Sequence, residues 1–456
     1  MKCIVIIGNG GREESIRWKL SEETSSTALH VSMLANDDNL KLNENLKEDD
    51  LVVVGPEGPI AEGLTDQLVS DGIPVFGPSK LAGRLETSKL WAKQFMERND
   101  IPTAKWSIFN RTIQGMSDAI DLIWHRYLNQ QQDFPHIKLT PKFPVVIKED
   151  GLCNGKGVVI CKTRDEANNI IPSIFITNKF NSTSNKILIE DFIEGQEASC
   201  FVLTDGKDYK ILPYCQDYKP VGEGNTGPNT GGMGALCPNT HVTEEVKNRV
   251  EKEIIIPTLD GMREEGLPYK GVLYIGLMIK EDGSPYVIEY NVRFGDPECQ
   301  VLMMLMKSEL HPYLEAVANE TLGTLPDPEF YEGSALTVVM CSGGYPDEYQ
   351  TQYMIEGLDA ELSNPNVKIF HAGTQQVGNH HGVKWITNGG RVLNVTARGD
   401  SLEDAREQAY NVVEKISWQD SFYRSDIGVL RPSTAQLTTD HNWSGGNRHP
   451  LRDSRL

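Results

Sequence analysis

Short apolar runs near the N-terminus, each ended by glycine, restrict the fold more than any other feature of this chain. Residues 3–7 (CIVII) run into Gly8-Asn9-Gly10-Gly11, and residues 51–54 (LVVV) run into Gly55-Pro56. A continuous apolar run of this length has no polar face, so it reads as a strand covered on both sides. Helical patterns follow at 12–20 and 60–70, and a third short strand at 74–76 ends at Gly77-Pro78. Strand, helix, strand with glycine at the carboxyl ends predicts an open parallel α/β domain over residues 1–103. Such sheets bind ligands beyond those same ends.

The pattern then changes. Residues 85–99 read as a helix that Ile101-Pro102-Thr103 ends. Residues 143–161 place two β-branched runs, PVVIK and GVVIC, around a glycine-rich turn. That arrangement predicts a hairpin flap over a nucleotide rather than a strand-to-helix unit. Further strands at 186–190, 200–204, 271–279 and 286–291 suit an antiparallel-rich α+β domain over 104–328, with a flap subdomain at about 120–190. Strands at 335–341 and 391–396 and a helix at 402–416 predict a small C-terminal α/β domain over 329–428. Residues 429–456 are polar and without periodicity, and are expected to form a flexible tail.

Composition narrows the function. Lys and Arg number 44 against 64 Asp and Glu, a formal charge of −20, which argues against nucleic acid or an anionic membrane as the main partner. No apolar run approaches the roughly 20 residues of a membrane helix. The first residues are too short an apolar stretch for a signal peptide. Eight cysteines are scattered with no C-x-x-C pair, which reads as free thiols in a reducing compartment, the cytoplasm, and not as a zinc site.

Four motifs carry chemistry. The opening loop fails as a dinucleotide fingerprint, because Gly8-x-Gly10-x-x ends on Glu13 where a small residue is needed for close helix packing; its backbone could still meet a phosphate. Gly151-Leu152-Cys153-Asn154-Gly155-Lys156-Gly157 is one residue short of a P-loop and lacks its Ser or Thr. Between two strands, and with Lys148 just before it, it suits a flap closing over a triphosphate. The segment YVIEYNVRFGDPE (286–298) is the sharpest. In a strand, alternate residues share a face, so Val287, Glu289, Asn291 and Arg293 are expected on one side and Ile288, Tyr290 and Val292 on the other. A carboxylate beside an amide oxygen offers hard ligands suited to Mg²⁺ on phosphate oxygens, and the arginine could hold charge on a transferring phosphoryl group. A solvated strand face carries the same residue types. Finally, a glycine-rich loop at 222–234 follows Asp217 and Lys219, which could contact a small zwitterion or simply be solvated. The histidines lack partners at metal-ligand spacing, and no G-x-S-x-G elbow supports a serine hydrolase.

Taken in order, these motifs resemble the phosphoribosylamine–glycine ligase family of ATP-grasp enzymes in purine synthesis. The likeness runs through GNGGREES, VVGPEGP, LETSK, VVIKEDGLCNGKGV, IEDFIEGQEAS, GPNTGGMGA, EYNVRFGDPECQ, SGGYP, TNGGRVLNVTARG and YRSDIG. It implies a pre-ATP-grasp domain, an ATP-grasp domain with a mobile flap, and a small C-terminal domain. It also implies that Lys89 and Lys148 hold ATP phosphates under the loop of Gly155, Lys156 and Gly157, while Glu190, Phe192 and Glu197 frame adenine and ribose. Glu289 and Asn291 would bind Mg²⁺, with Mn²⁺ as a substitute, and Arg293 would act on the transferred phosphoryl group. Asp217, Lys219, Gly232 and Asp296 would surround glycine and 5-phosphoribosylamine, with Gly10 and Gly11 helping to seat the ribose phosphate. The implied reaction consumes ATP, passes through glycyl phosphate and yields glycinamide ribonucleotide. A monomer or weak homodimer is expected. The chain departs from the family pattern in Glu14-Ser15, where His-Ala is usual, and around 34–39, where a Pro-Gly-Asn-rich loop is usual. A ligase for a different amine or amino acid, and a non-catalytic nucleotide-binding relative, therefore stay open as readings of the sequence.

Overall fold

The computed structural model describes residues 2–23, 29–34, 46–47, 49–128, 143–152, 157–178, 184–358, 364–379 and 382–429. The expected tail from 430 onward lies outside them, as do Gly155 and Lys156 of the flap turn and most of the 34–39 stretch.

The first sheet is parallel, with strands in the order Leu29–Leu34, Lys2–Ile7, Leu51–Val54, Val75–Phe76. The Leu29–Leu34 strand is additional to the sequence reading. It alternates rather than running continuously apolar: Val31 and Met33 pack on the core, while His30 between strand and solvent is exposed. The helix expected at 60–70 is two helices, Glu57–Glu62 and Leu64–Ser70, parted at Gly63. The helix expected at 85–99 likewise divides into Arg84–Thr87 and Lys89–Arg98, because Ser88 is extended and caps the second with its side chain on the Trp91 N–H.

Two antiparallel sheets follow. One orders Trp106–Asn110, Lys186–Asp191, Val145–Glu149 and Val158–Cys161, so the flap hairpin is present as expected. The other orders Tyr209–Ile211, Gln196–Asp205, Lys270–Ile279 and Pro285–Asn291. The last sheet, also antiparallel, runs Gln216–Asp217, Gly234–Cys237, Ser334–Cys341, Arg391–Gly399, Val367–His371, with helix Leu402–Val413 packed on it. Its first two strands come from the middle of the chain, so the C-terminal sheet is built partly from residues that border the site. No helix among the described residues is long and apolar enough to cross a membrane.

Candidate active site

A cavity of about 500 Å³ lies where these units meet. One end is apolar, lined by Ala92, Met96, Val146, Ile160, Phe192 and Met278. The rest is lined by charged side chains from all parts of the chain.

Beside the apolar end, Glu190 is 2% exposed and takes two lysines on one oxygen: Lys148 Nζ and Lys93 Nζ each lie 3.0 Å from Glu190 Oε2. Burial would raise this carboxyl, but Lys148 and then Lys93 hold it below the ordinary range. Burial lowers the Lys93 ammonium to about 8, against the pull of Glu190. Lys148 also donates to the Ile288 carbonyl at 3.0 Å. Lys89, one helical turn before Lys93 and on the same face, donates to the Gly151 carbonyl at 2.8 Å, the first residue of the flap turn. Gly157 and Phe192 line the cavity. Glu197 does too, half exposed, with its carboxylate 3.7 Å from Lys219.

The strand Pro285–Asn291 brings Glu289 and Asn291 into the cavity, with Arg293 just beyond its end. Strict alternation fails at one place. Glu289 pairs with Gly276 but Val287 pairs with Leu277, so Ile288 is a bulge residue. The extra residue changes the phase of the strand; Val287 is fully buried in the core with Tyr290 and Val292 and lines the same cavity as Glu289. Burial would raise Glu289, but Lys219, then Lys148, Lys89 and Arg293, bring it down to about 2. Lys219 Nζ stands 3.4 Å from Glu289 Oε1. An ionised carboxylate next to the Asn291 amide is a donor set that suits Mg²⁺, which takes one or two protein ligands and completes its shell with phosphate and water. The described residues hold no group of three or more His, Cys, Asp or Glu able to bind a metal alone.

Arg293 is held from two sides. Its Nε donates to Glu57 at 2.8 Å, and its Nη2 to Glu86 at 2.9 Å and to the Asn291 amide oxygen at 3.1 Å. Burial pushes Glu86 up to about 7 in spite of Arg293, helped by the neighbouring charge of Glu57. At Glu57 burial acts the same way, but Arg293 and Arg12 outweigh it and the carboxyl falls to about 2. One clamp thus holds a carboxylate that stays charged and another poised near neutrality.

The far end gathers Asp217, Lys219 and Asp296. Burial, together with Glu298, drives the Asp217 carboxyl well above its ordinary value, and its buried Oδ1 has no hydrogen-bond partner among the described residues. Gly232 does not line the cavity; it lies behind Asp217 at φ +111°, where a Cβ would fall 2.4 Å from Pro297 Cδ and 2.8 Å from Asp217 Oδ1. Asp296 is held below its ordinary range, against burial, by Arg391 and Arg12. Arg391, from the C-terminal sheet, donates to the carbonyls of Gly231 and Asp296.

The N-terminal glycines stand apart from the cavity wall. Gly10 lies against Asp296, and Gly11 packs on Gln300 and Asn394. The Gly10 N–H donates to Glu13 Oε2 at 2.9 Å, and Gly8 and Gly55 close around the same carboxylate. Glu13 thus takes the N–H that a pyrophosphate would need, which is the physical reason the loop is no dinucleotide site. The extra charge at Glu14 is matched by Arg17, which donates to both its oxygens at 2.6 and 2.8 Å.

Seven charged wall residues escaped the sequence reading: Arg12, Glu57, Glu86, Lys93, Asp191, Glu298 and Arg391. Lys93 had a readable signal in its four-residue spacing from Lys89. Arg12, Asp191 and Glu298 lie within or beside motifs already singled out, whereas Glu57, Glu86 and Arg391 sit in distant segments that only the tertiary fold brings to this wall.

Three family models match in succession: the phosphoribosylglycinamide synthetase N domain over residues 1–86, its ATP-grasp (A) domain over 87–299 and its C domain over 335–430. The phosphoribosylamine–glycine ligase of Rhodopirellula baltica is 40% identical over 440 residues, covering 93% of this chain and 96% of the relative. That of Chlorobaculum tepidum is 40% identical over 445 residues, covering 93% and 99%. The crystal structure of phosphoribosylamine–glycine ligase from Thermotoga maritima superposes with a TM-score of 0.75 at 30% identity, covering 93% of this chain and 99% of that one. With three domains matched in order and relatives this similar over nearly its whole length, the chain belongs to the phosphoribosylglycinamide synthetase family.

Proposed function

We propose that this chain is an ATP-dependent ligase joining glycine to 5-phosphoribosylamine to give glycinamide ribonucleotide, ADP and phosphate. One observation carries the mechanism: Glu289, Asn291 and Arg293 stand in a single cavity whose wall also carries Lys89, Lys93 and Lys148, an apolar group of side chains, and Asp217, Asp296 and Arg391. The apolar end takes adenine, with Glu190 and Glu197 near the ribose. Lys148 and Lys89 would turn from their present protein acceptors to the ATP phosphates, to which an ionised donor makes a strong hydrogen bond. Glu289 and Asn291 would hold Mg²⁺, which supplies charge neutralisation on the phosphate oxygens.

A glycine carboxylate oxygen attacks the γ-phosphorus, its bond to the ADP oxygen breaks, and glycyl phosphate forms. Arg293, kept in place by Glu57 and Glu86, faces the charge that develops on the moving phosphoryl group. The amine of phosphoribosylamine then attacks the acyl carbon, loses a proton, and expels inorganic phosphate. A free carboxylate would not react this way, because neither of its oxygens is a leaving group. Asp217 would meet the ammonium group of glycine and Lys219 its carboxylate. Arg12 and Arg391 on the same side suit an anionic ribosyl phosphate.

Glycine labelled with ¹⁸O in its carboxylate tests the route. One labelled oxygen should appear in the released phosphate. Label found only in the product amide and unreacted glycine would exclude the acyl phosphate.

A further inference from the structure

The YRSDIG segment near the C-terminus belongs to none of the roles above, yet it holds a fully buried arginine. Arg424 is 1% exposed. Its guanidinium pairs with Asp426 through Nε at 2.8 Å and Nη2 at 2.9 Å. It also donates from Nη1 to the Pro220 carbonyl at 2.9 Å and from Nη2 to Asn225 Oδ1 at 2.9 Å, and lies over the Tyr218 ring. Asp426 in turn accepts from the Gly224 N–H at 2.9 Å, and Ser425 Oγ donates to Glu223 at 2.5 Å. All of these acceptors and donors in 220–225 belong to the first half of one glycine-rich hairpin, Pro220–Gly222 paired with Thr226–Asn229.

Both ends of that hairpin enter the cavity. Lys219 lies at one end and Asn229, Thr230 and Gly231 at the other, closed on each other by the Thr230 N–H and hydroxyl, which both donate to the Lys219 carbonyl at 2.8 Å. The tip between them is exposed and makes its specific bonds to a segment some 200 residues away. The segment itself is anchored from behind, since the Tyr410 hydroxyl donates to the Arg424 carbonyl at 2.6 Å and Gly428 N–H donates to the Tyr218 hydroxyl at 3.2 Å. Burying an ion pair is costly and does little for stability by itself, whereas a planar guanidinium with four fixed acceptors fixes geometry well.

We propose that Arg424 and Asp426 are positioning residues for the amino-acid and amine end of the site, setting Lys219 and Gly231 by clamping the hairpin tip. The proposal rests on the ligase reading given above. It divides the site unequally: the nucleotide half meets residues 423–428 only indirectly, through the ion pairs of Lys219 with Glu197 and Glu289, and the other half depends on them directly.

Arg424→Met, Arg424→Lys and Asp426→Asn test it in the full chain, with two readouts. Steady-state kinetics of Arg424→Met should show KM for glycine or phosphoribosylamine raised about 10- to 100-fold, the scale on which remote misplacement acts, with binding of a non-hydrolysable ATP analogue essentially unchanged. Arg424→Lys should recover part of the loss. Equal losses for ATP and for the other substrates, or none, would overturn the proposal. Hydrogen exchange at 219–231, measured without substrates, should accelerate in Arg424→Lys and Asp426→Asn while the rest of the chain keeps its protection; unchanged exchange there overturns the clamp even if Arg424→Met fails to fold. Faster exchange in a protein that does not join glycine to phosphoribosylamine would keep the clamp and sink the ligase reading instead.

Discussion

Glu86→Gln preserves the shape of the Arg293 clamp and removes one of its two negative charges. In the folded protein this carboxyl rises from an ordinary 4.5 to about 7, chiefly through burial. A carboxyl raised in this way contributes stability that is fully present below pH 4.5 and is lost as pH rises through 7, because the folded state holds the proton longer than the unfolded one. At about 1.4 kcal/mol per pH unit, the loss amounts to about 3 kcal/mol by pH 8. Glutamine carries no charge at any pH and escapes it. The melting temperature of Glu86→Gln relative to wild type should therefore climb between pH 5 and pH 8, by several degrees at roughly 2–4 °C per kcal/mol for a unit of this size. Every other titrating group is common to both proteins and cancels. Turnover should move the opposite way, falling about tenfold above pH 7, because Arg293 keeps only Glu57 as a charged partner and its guanidinium is held less well. Melting curves that stay parallel across that pH range would refute the reasoning, as would a variant of unchanged turnover.

Glu289→Gln keeps the size of the side chain but removes the charge held at about 2; Mg²⁺-dependent turnover should fall about 100-fold or more, with ATP binding measured without metal unaffected, and near-wild-type rates at every Mg²⁺ concentration would remove Glu289 as a ligand. Lys93→Met leaves Glu190 with Lys148 alone. Losing one partner of a buried pair should cost about 3–5 kcal/mol. The stability that Glu190 contributes, present above its ordinary range and lost as pH falls, should also disappear at a higher pH than in wild type, so an unshifted acid-unfolding midpoint would count against the shared-carboxylate arrangement.

Much of the fold was legible because local pattern and tertiary environment agree. Doubly covered strands such as Leu51–Val54 show as unbroken apolar runs, and the flap shows as two β-branched runs about a glycine turn. What escaped was set by partners elsewhere in the chain. Leu29–Leu34 is an edge strand whose Val31 and Met33 pack on one core and Leu34 on another, with exposed His30 and with Ser32 interrupting the apolar residues, so it shows no continuous run. The bulge at Ile288 has no mark in its own strand; its sign is on the opposite strand, where a Cβ at Gly276 would lie 3.1 Å from Glu289 Cγ. The chemistry-bearing strand could be found from its own residues, and Glu289, Asn291 and Arg293 do converge. The groups that tune them could not. Glu57 and Glu86 are more than 200 residues from the arginine they hold, and no local rule couples positions so far apart.

The most direct test is ADP release from Mg-ATP in the presence of glycine, with and without freshly generated phosphoribosylamine. The account predicts ADP formation that requires both substrates, with glycinamide ribonucleotide as the product. A folded, ATP-binding protein that releases no substrate-dependent ADP, or that does so only with a different amine or amino acid, would contradict it.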